Sequence, residues 1–309
     1  MRIHTDIHNL NFKNPVVTMG AFDGIHLGHQ KIINRVIEKA KEIGGESVII
    51  TFYPHPKVFL NPNDPFKTIL THLDKIDRFY HHKIDHLVVL NFDKTLSEMS
   101  GEEYIKDILC NKINMSHLVI GHDHHFGCNK LCSLDKINSL GKKYHFTTEQ
   151  VSAKLINNQI ISSSIIRDRL STGNIEEANK FLGYNYFVFG RVVHGNQIGK
   201  TIGFPTANIA IRKPYKQLPC NGVYIVEINW NGEIYNGICN LGIRPTIRKS
   251  KFTFEVHMFD FDRDIYNDYL TVSFIDRIRD ERYFASLNEL KQQLEEDRQT
   301  ALNYFEKHK

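Results

Sequence analysis

Cysteine is scarce in this chain and poorly placed for cross-linking. The 309 residues hold five, at positions 110, 128, 132, 220 and 239. An odd number with irregular spacing excludes a disulfide framework and points to a reduced, cytoplasmic protein. Long apolar runs are missing too. Nothing approaches the roughly 20 residues that span a bilayer, and the opening Met1-Arg2-Ile3-His4-Thr5-Asp6 has no signal-like apolar core. There is no internal repeat, no low-complexity segment and no clustered basic stripe. A net charge of +4 and a pI of about 8.6 suit anionic small ligands and exclude the electrostatic footprint of a nucleic-acid binder. With 41% hydrophobic and 24% charged residues, the chain has the composition of a soluble globular protein, long enough for two domains with a core each.

What is present falls into two halves. Strand-like runs at 15–18, 47–52, 86–90 and 117–120 alternate with helix-like runs at 30–43, 73–82 and 101–110. That alternation predicts a doubly wound parallel sheet, whose ligands sit at the carboxyl ends of strands. One further helical segment, 163–181, ends at Gly183, a residue type suited to a helix C-terminus. From Tyr186 onward the pattern is β-rich: 187–194, 222–229, 234–241, 253–258 and 270–274, with a hairpin signal at Asn231-Gly232. This predicts an antiparallel barrel or sandwich. A charged amphipathic helix, 286–305, closes the chain.

The densest motif is Gly20-Ala21-Phe22-Asp23-Gly24-Ile25-His26-Leu27-Gly28-His29. It joins an apolar strand to a helix whose Ile32, Ile33, Val36 and Ile37 recur at helical spacing. Free N–H groups at a helix start attract phosphate, and two histidines there can donate to its oxygens. Three more pieces fall at strand ends or helix starts: Thr51-Phe52-Tyr53-Pro54-His55-Pro56, Gly121-His122-Asp123-His124-His125-Phe126-Gly127, and Ser162-Ser163-Ser164-Ile165-Ile166-Arg167. Histidines, hydroxyls, an arginine and a helix start suit adenylyl transfer, which works by stabilising charge on phosphates and needs no protein nucleophile. His122, His124, His125 and Cys128 match no usual zinc spacing; a metal site and a ligand-binding turn both stay open for them.

In the second half, Gly195-Asn196-Gln197-Ile198-Gly199-Lys200-Thr201 has three residues between its first glycine and Gly-Lys-Thr, where a P-loop has four. It leads to Gly203-Phe204-Pro205, which starts no long helix. The P-loop is therefore rejected, while a glycine-rich cover over phosphates is not. Thr206 and Asn208 are two apart, so on a strand they share a face, as hard oxygen donors for magnesium or as an ordinary polar face. Glu255, among apolar and aromatic neighbours, is a candidate general base or a solvated residue of an edge strand.

Taken in order along the whole chain, these motifs resemble the prokaryotic bifunctional riboflavin kinase/FMN adenylyltransferase (FAD synthetase) family. Gly222-Val223-Tyr224, the stretch Gly237 to Thr246, Glu255 to Tyr266, Ile278-Arg279-Asp280-Glu281 and Phe284 carry the likeness through the second half. Departures from the family's pattern fall at His124, Lys130, Cys132, Ser164 and Lys200.

The resemblance implies a Rossmann-like nucleotidyltransferase domain over 1–184. It implies an antiparallel riboflavin kinase β-barrel with a C-terminal helix over 185–309. The barrel would transfer a phosphoryl group from ATP to riboflavin, giving FMN and ADP. The first domain would join FMN to AMP, giving FAD and pyrophosphate. By residue match, Glu255 would be the kinase base, Thr206 and Asn208 would hold Mg2+, and His26 and His29 would stabilise the phosphate being transferred. ATP phosphates would meet Gly20, Phe22, Asp23, Gly24, Gly28, Ser162, Ser163, Ser164 and Arg167 in one half, and Gly195, Gly199, Lys200 and Gly203 in the other. Flavin would meet Pro54, His55, Asp123 and Phe126, or Arg279 and Glu281. No nucleic acid, membrane or obligate protein partner is expected. Two rival readings are a kinase whose first half no longer adenylylates and a flavin-binding regulatory module. A class I aminoacyl-tRNA synthetase shares the His-x-Gly-His signature, but no Lys-Met-Ser-Lys-Ser-like loop is visible.

Overall fold

The computed structural model describes residues 1–64, 66–122, 133–195, 199, 202–211, 215–244 and 251–308. Contacts divide the chain between Ser163 and Ser164 into two compact units.

In the first unit, β1 (Arg2–His4), β2 (Val16–Met19), β3 (Ser47–Tyr53), β4 (His86–Asn91), β5 (His117–Gly121) and β6 (Thr147–Val151) form one sheet in the order β1-β4-β3-β2-β5-β6, every pairing parallel. The helices are α1 (Leu27–Glu42), α2 (Pro56–Leu60), α3 (His72–His81), α4 (Lys94–Glu98), α5 (Gly101–Glu103) and α6 (Leu134–Tyr144), with α5 running on as a π-helix, Tyr104–Cys110. A small hairpin, β7 (Leu155–Ile156) and β8 (Gln159–Ile160), comes after β6. The four expected strands are found within a residue of their predicted ends; they are apolar because helices cover both faces of a parallel sheet. The edge strands β1 and β6 carry no such signal, since their residues are mostly exposed or half-buried. The sheet order decides where chemistry can gather. From β2 the chain moves outward on one side through β3 and β4, then on the other through β5 and β6. The carboxyl end of β2 is therefore the topological switch point.

The second unit begins with α7 (Ser163–Thr172), whose first residue closes the unit before, and α8 (Ile175–Leu182). These replace the single helix expected over 163–181. Gly173 takes a left-handed φ of 79°, and the Asn174 side chain caps α8 by accepting from the Glu177 N–H. The expected stop at Gly183 is present, also left-handed, at φ 75°. Both helices are tied to the β-rich segment. Asn179 donates to the Phe274 carbonyl at 2.9 Å and accepts from the Tyr186 N–H at 2.7 Å, and a Cβ on Gly173 would lie 2.7 Å from the Arg277 side chain. These ties put the compact boundary earlier than the 184/185 division that the resemblance implies.

The barrel strands are β9 (Phe187–Val193), β10 (Ala207–Ala210), β11 (Gly222–Trp230), β12 (Glu233–Arg244), β13 (Lys251–Met258) and β14 (Tyr269–Arg279), closed in the order β10-β13-β12-β11-β14-β9. Closure decides between barrel and sandwich and leaves no edge strand. Asn231 and Gly232 both have positive φ, 52° and 88°, the two-residue hairpin turn their sequence predicts. Alternation sorts the two faces of β13. Phe254 and Val256 are buried, and Phe254 joins Phe274 and Tyr224 in a chain of interior ring contacts. Thr253, Glu255 and His257 lie on the other face and are half-buried.

The last helix, α9 (Leu287–Lys307), is capped by Ser286 and lies on that outer face. Its Ala301, Leu302, Tyr304 and Phe305 pack with Ile225, Ile238, Ile275 and Ile278. A buried ion pair adds direction to this apolar seam. Asp297, 1% exposed, accepts from Arg279 Nε at 2.9 Å, Arg279 Nη2 at 2.7 Å and Gln293 Nε2 at 2.9 Å. Removing either charge would strand the other, at a cost of about 3 kcal/mol.

Candidate active sites

The switch point of the sheet carries the His-x-Gly-His turn. His26 is the N-cap of α1, and its Nδ1 accepts the His29 N–H at 3.3 Å. An accepting Nδ1 leaves the proton on Nε2, the ring atom that donates. The two rings stack, with centroids 3.6 Å apart and planes 18° from parallel. Gly28 makes room for this: a Cβ there would stand 3.1 Å from His26 Nδ1. Burial, then His26, then Lys75 hold the His29 pKa well below the usual histidine value, so this ring is neutral at pH 7. Its Nδ1 is buried and makes no hydrogen bond among the described residues.

The rest of the turn supports these rings. Phe22, 3% exposed at a φ of 48°, packs edge-on against His29 and Phe79. Asp23, 5% exposed, accepts from the amides of Ile69 and Leu70 at 2.8 and 3.3 Å, and its own carbonyl accepts from the Ser163 hydroxyl at 2.8 Å. Gly24 needs its freedom, with φ 89°. Phe22 and Asp23 are thus buried props of the turn.

A pocket opens beside the histidines. His26, Gly28, His29, Gly121, Ser162 and Ser163 are on its wall, with Lys154 at the rim. Pro54 and His55 stand at the carboxyl end of β3, outside this pocket. His55 is occupied as the N-cap of α2, accepting the Lys57 N–H at 3.1 Å, with its ring against Phe66. Ser164 and Arg167 lie on α7 in the second unit, Ser164 exposed and Arg167 half-buried. Asp123, Phe126, His124, His125 and Cys128 fall outside the described residues, so neither the flavin contact nor the metal reading of that loop meets a geometry. Among the described residues no three His, Cys, Asp or Glu gather as metal ligands.

The second site is assembled by register. Asn208 on β10 is directly opposite Glu255 on β13, which is opposite Asn240 on β12. The row continues through Val223 on β11 to Arg279 on β14. Glu255 is therefore central in a closed barrel and not on an edge. A cavity of about 170 Å³ runs along this face, walled by Gly199, Thr206, Asn240, Glu255, Arg279 and Glu281, and closed on the helix side by Leu290 and Leu294. Glycines crowd the polar row. A Cβ on Gly195 would strike the Asn208 amide, one on Gly199 would stand 3.4 Å from Thr206 Oγ1, and one on Gly242 would strike the Glu281 carboxylate. Gly203 is left-handed, φ 88°, with open space around it. Lys200 falls outside the described residues.

Arg279 reaches the cavity with its guanidinium already engaged by Asp297. This pair fixes α9 against the cavity. Glu281 is less committed, accepting from Asn221 Nδ2 at 3.2 Å and from the Ile243 N–H at 3.4 Å. Residues to which the sequence assigned no role also line the wall: Asn240, His257 and Phe284, which lie within the quoted motifs, and Arg282. His257 donates from Nδ1 to the Pro205 carbonyl at 2.8 Å, and burial lowers its pKa.

Comparison with known proteins agrees with this division of labour. Residues 9–165 match the FAD synthetase family and residues 182–305 the riboflavin kinase family. A bifunctional riboflavin kinase/FMN adenylyltransferase of Buchnera aphidicola (subsp. Schizaphis graminum) is 38% identical over 312 residues, covering 99% of each chain. The chain belongs to the bifunctional riboflavin kinase/FMN adenylyltransferase family. The family's Haemophilus influenzae protein is 36% identical over 309 residues, again covering 99% of each chain. A solved structure from Streptococcus pneumoniae, described as a macrolide-efflux protein, has a TM-score of 0.88 at 30% identity and covers 98% of each chain. Among the described residues of this family member, no helix is long and apolar enough to cross a membrane.

Proposed function

We propose that the outer-face row of the barrel is where riboflavin is phosphorylated and that the His26–His29 turn is where the resulting FMN is joined to AMP. The activities belong to the family: ATP-dependent phosphorylation of riboflavin to FMN, and adenylylation of FMN to FAD. The observation that carries the assignment is the row Asn208–Glu255–Asn240, which sets one carboxylate between two amides in register, with Glu255, Asn240 and Thr206 on the wall of a single cavity.

In the kinase step, Glu255 accepts the proton of the ribityl 5′-hydroxyl as its oxygen attacks the γ-phosphorus, and ADP leaves. Thr206, just before β10, and Asn208, on it, fit a magnesium ion, because they bring a hydroxyl and an amide oxygen beside that carboxylate. Bound there, the ion would neutralise charge on the ATP phosphates. Gly195, Gly199 and Gly203 let backbone approach the nucleotide and Lys200 offers its charge to the phosphates, while Arg279 and Glu281 shape the flavin end.

In the adenylyl step, an FMN phosphate oxygen attacks the α-phosphorus of ATP, the bond to the β-phosphate breaks, and pyrophosphate leaves. His26 donates from Nε2, and His29, neutral beside it, completes a donor pair aimed at the phosphate. Gly20, Gly24 and Gly28 keep the approach open, Phe22 and Asp23 hold the turn, and Ser162, Ser163, Ser164 and Arg167 take the departing phosphates. Asp123, Phe126, Pro54 and His55 are assigned to the flavin. The working modules run 1–184 and 185–309. The enzyme acts in the cytoplasm, a reducing setting that suits its free thiols.

The test is a time course of the full chain with riboflavin, ATP and Mg2+, separating riboflavin, FMN and FAD by chromatography and following pyrophosphate. FMN should appear first and FAD after it. Accumulation of FMN with no FAD, even when FMN is supplied directly, would refute the assignment of the first module.

A further inference from the structure

Lys75, on α3, belongs to none of the motifs, yet its side chain ends under the phosphate turn. It is 6% exposed. Its ammonium donates to the Ala21 carbonyl at 3.0 Å and to Thr51 Oγ1 at 2.9 Å, and reaches the Phe52 carbonyl at 3.5 Å. These acceptors come from the carboxyl ends of β2 and β3, the two central strands at the switch point. All three are neutral. A buried ammonium held by neutral acceptors is costly unless an anion compensates it. Asp23 attracts it, but Asp23 Oδ1 is already shared by two backbone amides. Asp74, its neighbour on α3, is committed to the capping box with Thr71. His29 also faces it from α1 and is kept neutral partly by its charge. Burial lowers the pKa of Lys75 to about 8, with Asp23 opposing.

Elementary geometry and electrostatics give this arrangement two effects. A planar peptide points its C=O and the next N–H in opposite directions. Fixing the Ala21 carbonyl toward Lys75 therefore turns the Phe22 N–H away from it. A positive charge in a water-poor site also acts further than one at the surface. We propose that Lys75 is a positioning residue for adenylyl transfer, holding the 20–24 turn in shape and setting a fixed positive potential that the nucleotide's phosphates complete. This rests on the assignment of adenylylation to the His26–His29 site.

The test uses the full chain with Lys75→Met and Lys75→Arg, following pyrophosphate release from FMN and ATP between about pH 6 and about pH 10. Wild type should lose kcat/KM above a pH of about 8. Lys75→Met should fall by about 10- to 100-fold, mainly in kcat, and lose that alkaline limb. Lys75→Arg should retain more activity than Lys75→Met and carry its limb to higher pH. Riboflavin phosphorylation, performed by the other module, should be unchanged in both. A folded Lys75→Met enzyme within about threefold of wild type, or one keeping the same alkaline limb, overturns the proposal. Should circular dichroism show Lys75→Met unfolded, Lys75→Arg decides: an unchanged limb overturns the proposal and a displaced one supports it. Failure of wild type to make FAD from FMN would instead strike the site assignment beneath it.

Discussion

The two sites are built by opposite means. At the switch point of the sheet, the stacked histidines are three residues apart and share one helix turn; the site is local in sequence and is stiffened from below by Asp23, Phe22 and Lys75. On the barrel, Asn208, Glu255 and Asn240 come from three strands and meet only through register. A local site survives small errors in tertiary packing, whereas a register site moves its whole functional row to the opposite face if one strand slips by one residue. Closure of the barrel removes that freedom, which is why the proposed kinase row is safe there.

Glu255→Gln breaks the comparison most sharply. Phosphorylation should drop by about 10²- to 10⁴-fold with general-base function lost, while FMN supplied from outside is still turned into FAD; equal loss of both products would end the two-site picture. His29→Ala is its mirror, lowering pyrophosphate release from FMN and ATP by about 10²- to 10³-fold with FMN formation intact. A gentler probe is Gly195→Ala. Its added methyl would strike the Asn208 amide, so phosphorylation should fall by about tenfold, the expected order for a misplaced reacting group, and the Mg2+ requirement should rise; an unshifted Mg2+ titration would remove Asn208 from the metal site.

The smallest effect concerns acid. His29 titrates well below the ordinary histidine value because of burial, then His26, then Lys75. Folding therefore favours its neutral form, and the stability it allows above about pH 6.5 is lost as pH falls below that value and the unfolded chain takes up a proton first. Chemical denaturation at about pH 7 and about pH 5 should show the first module weakening more than His29→Gln does over the same interval. An identical decline in the variant would place the sensitivity elsewhere, at His117 or His82, whose pKa values burial also lowers.

Legibility divides along the same line. The strand-turn-helix around His26 and His29 could be read because its signals, an apolar run, glycines and helical spacing, all act within a few residues. The edge strands could not: β6 is polar on both faces and becomes a strand only because β5 offers it a partner. The helix expected over 163–181 is broken by Gly173, whose left-handed backbone lies close against Arg277 and Cys220. Arg279 reads as a flavin residue from its motif, and its bond to Asp297 depends on a helix that begins several residues later.

Residue chemistry and short-range order determined the two modules and their sequence along the chain, and nominated the histidines, the glutamate and the Thr206–Asn208 pair as site candidates. Tertiary structure decided which groups are available. It buried Phe22 and Asp23 as supports, brought Lys75 under a turn some fifty residues away in sequence, and put Glu255 in the middle of a closed barrel. The reason is physical: helix starts and turns are set by neighbours in the chain, but burial, register and the cost of an enclosed charge exist only once distant segments have packed.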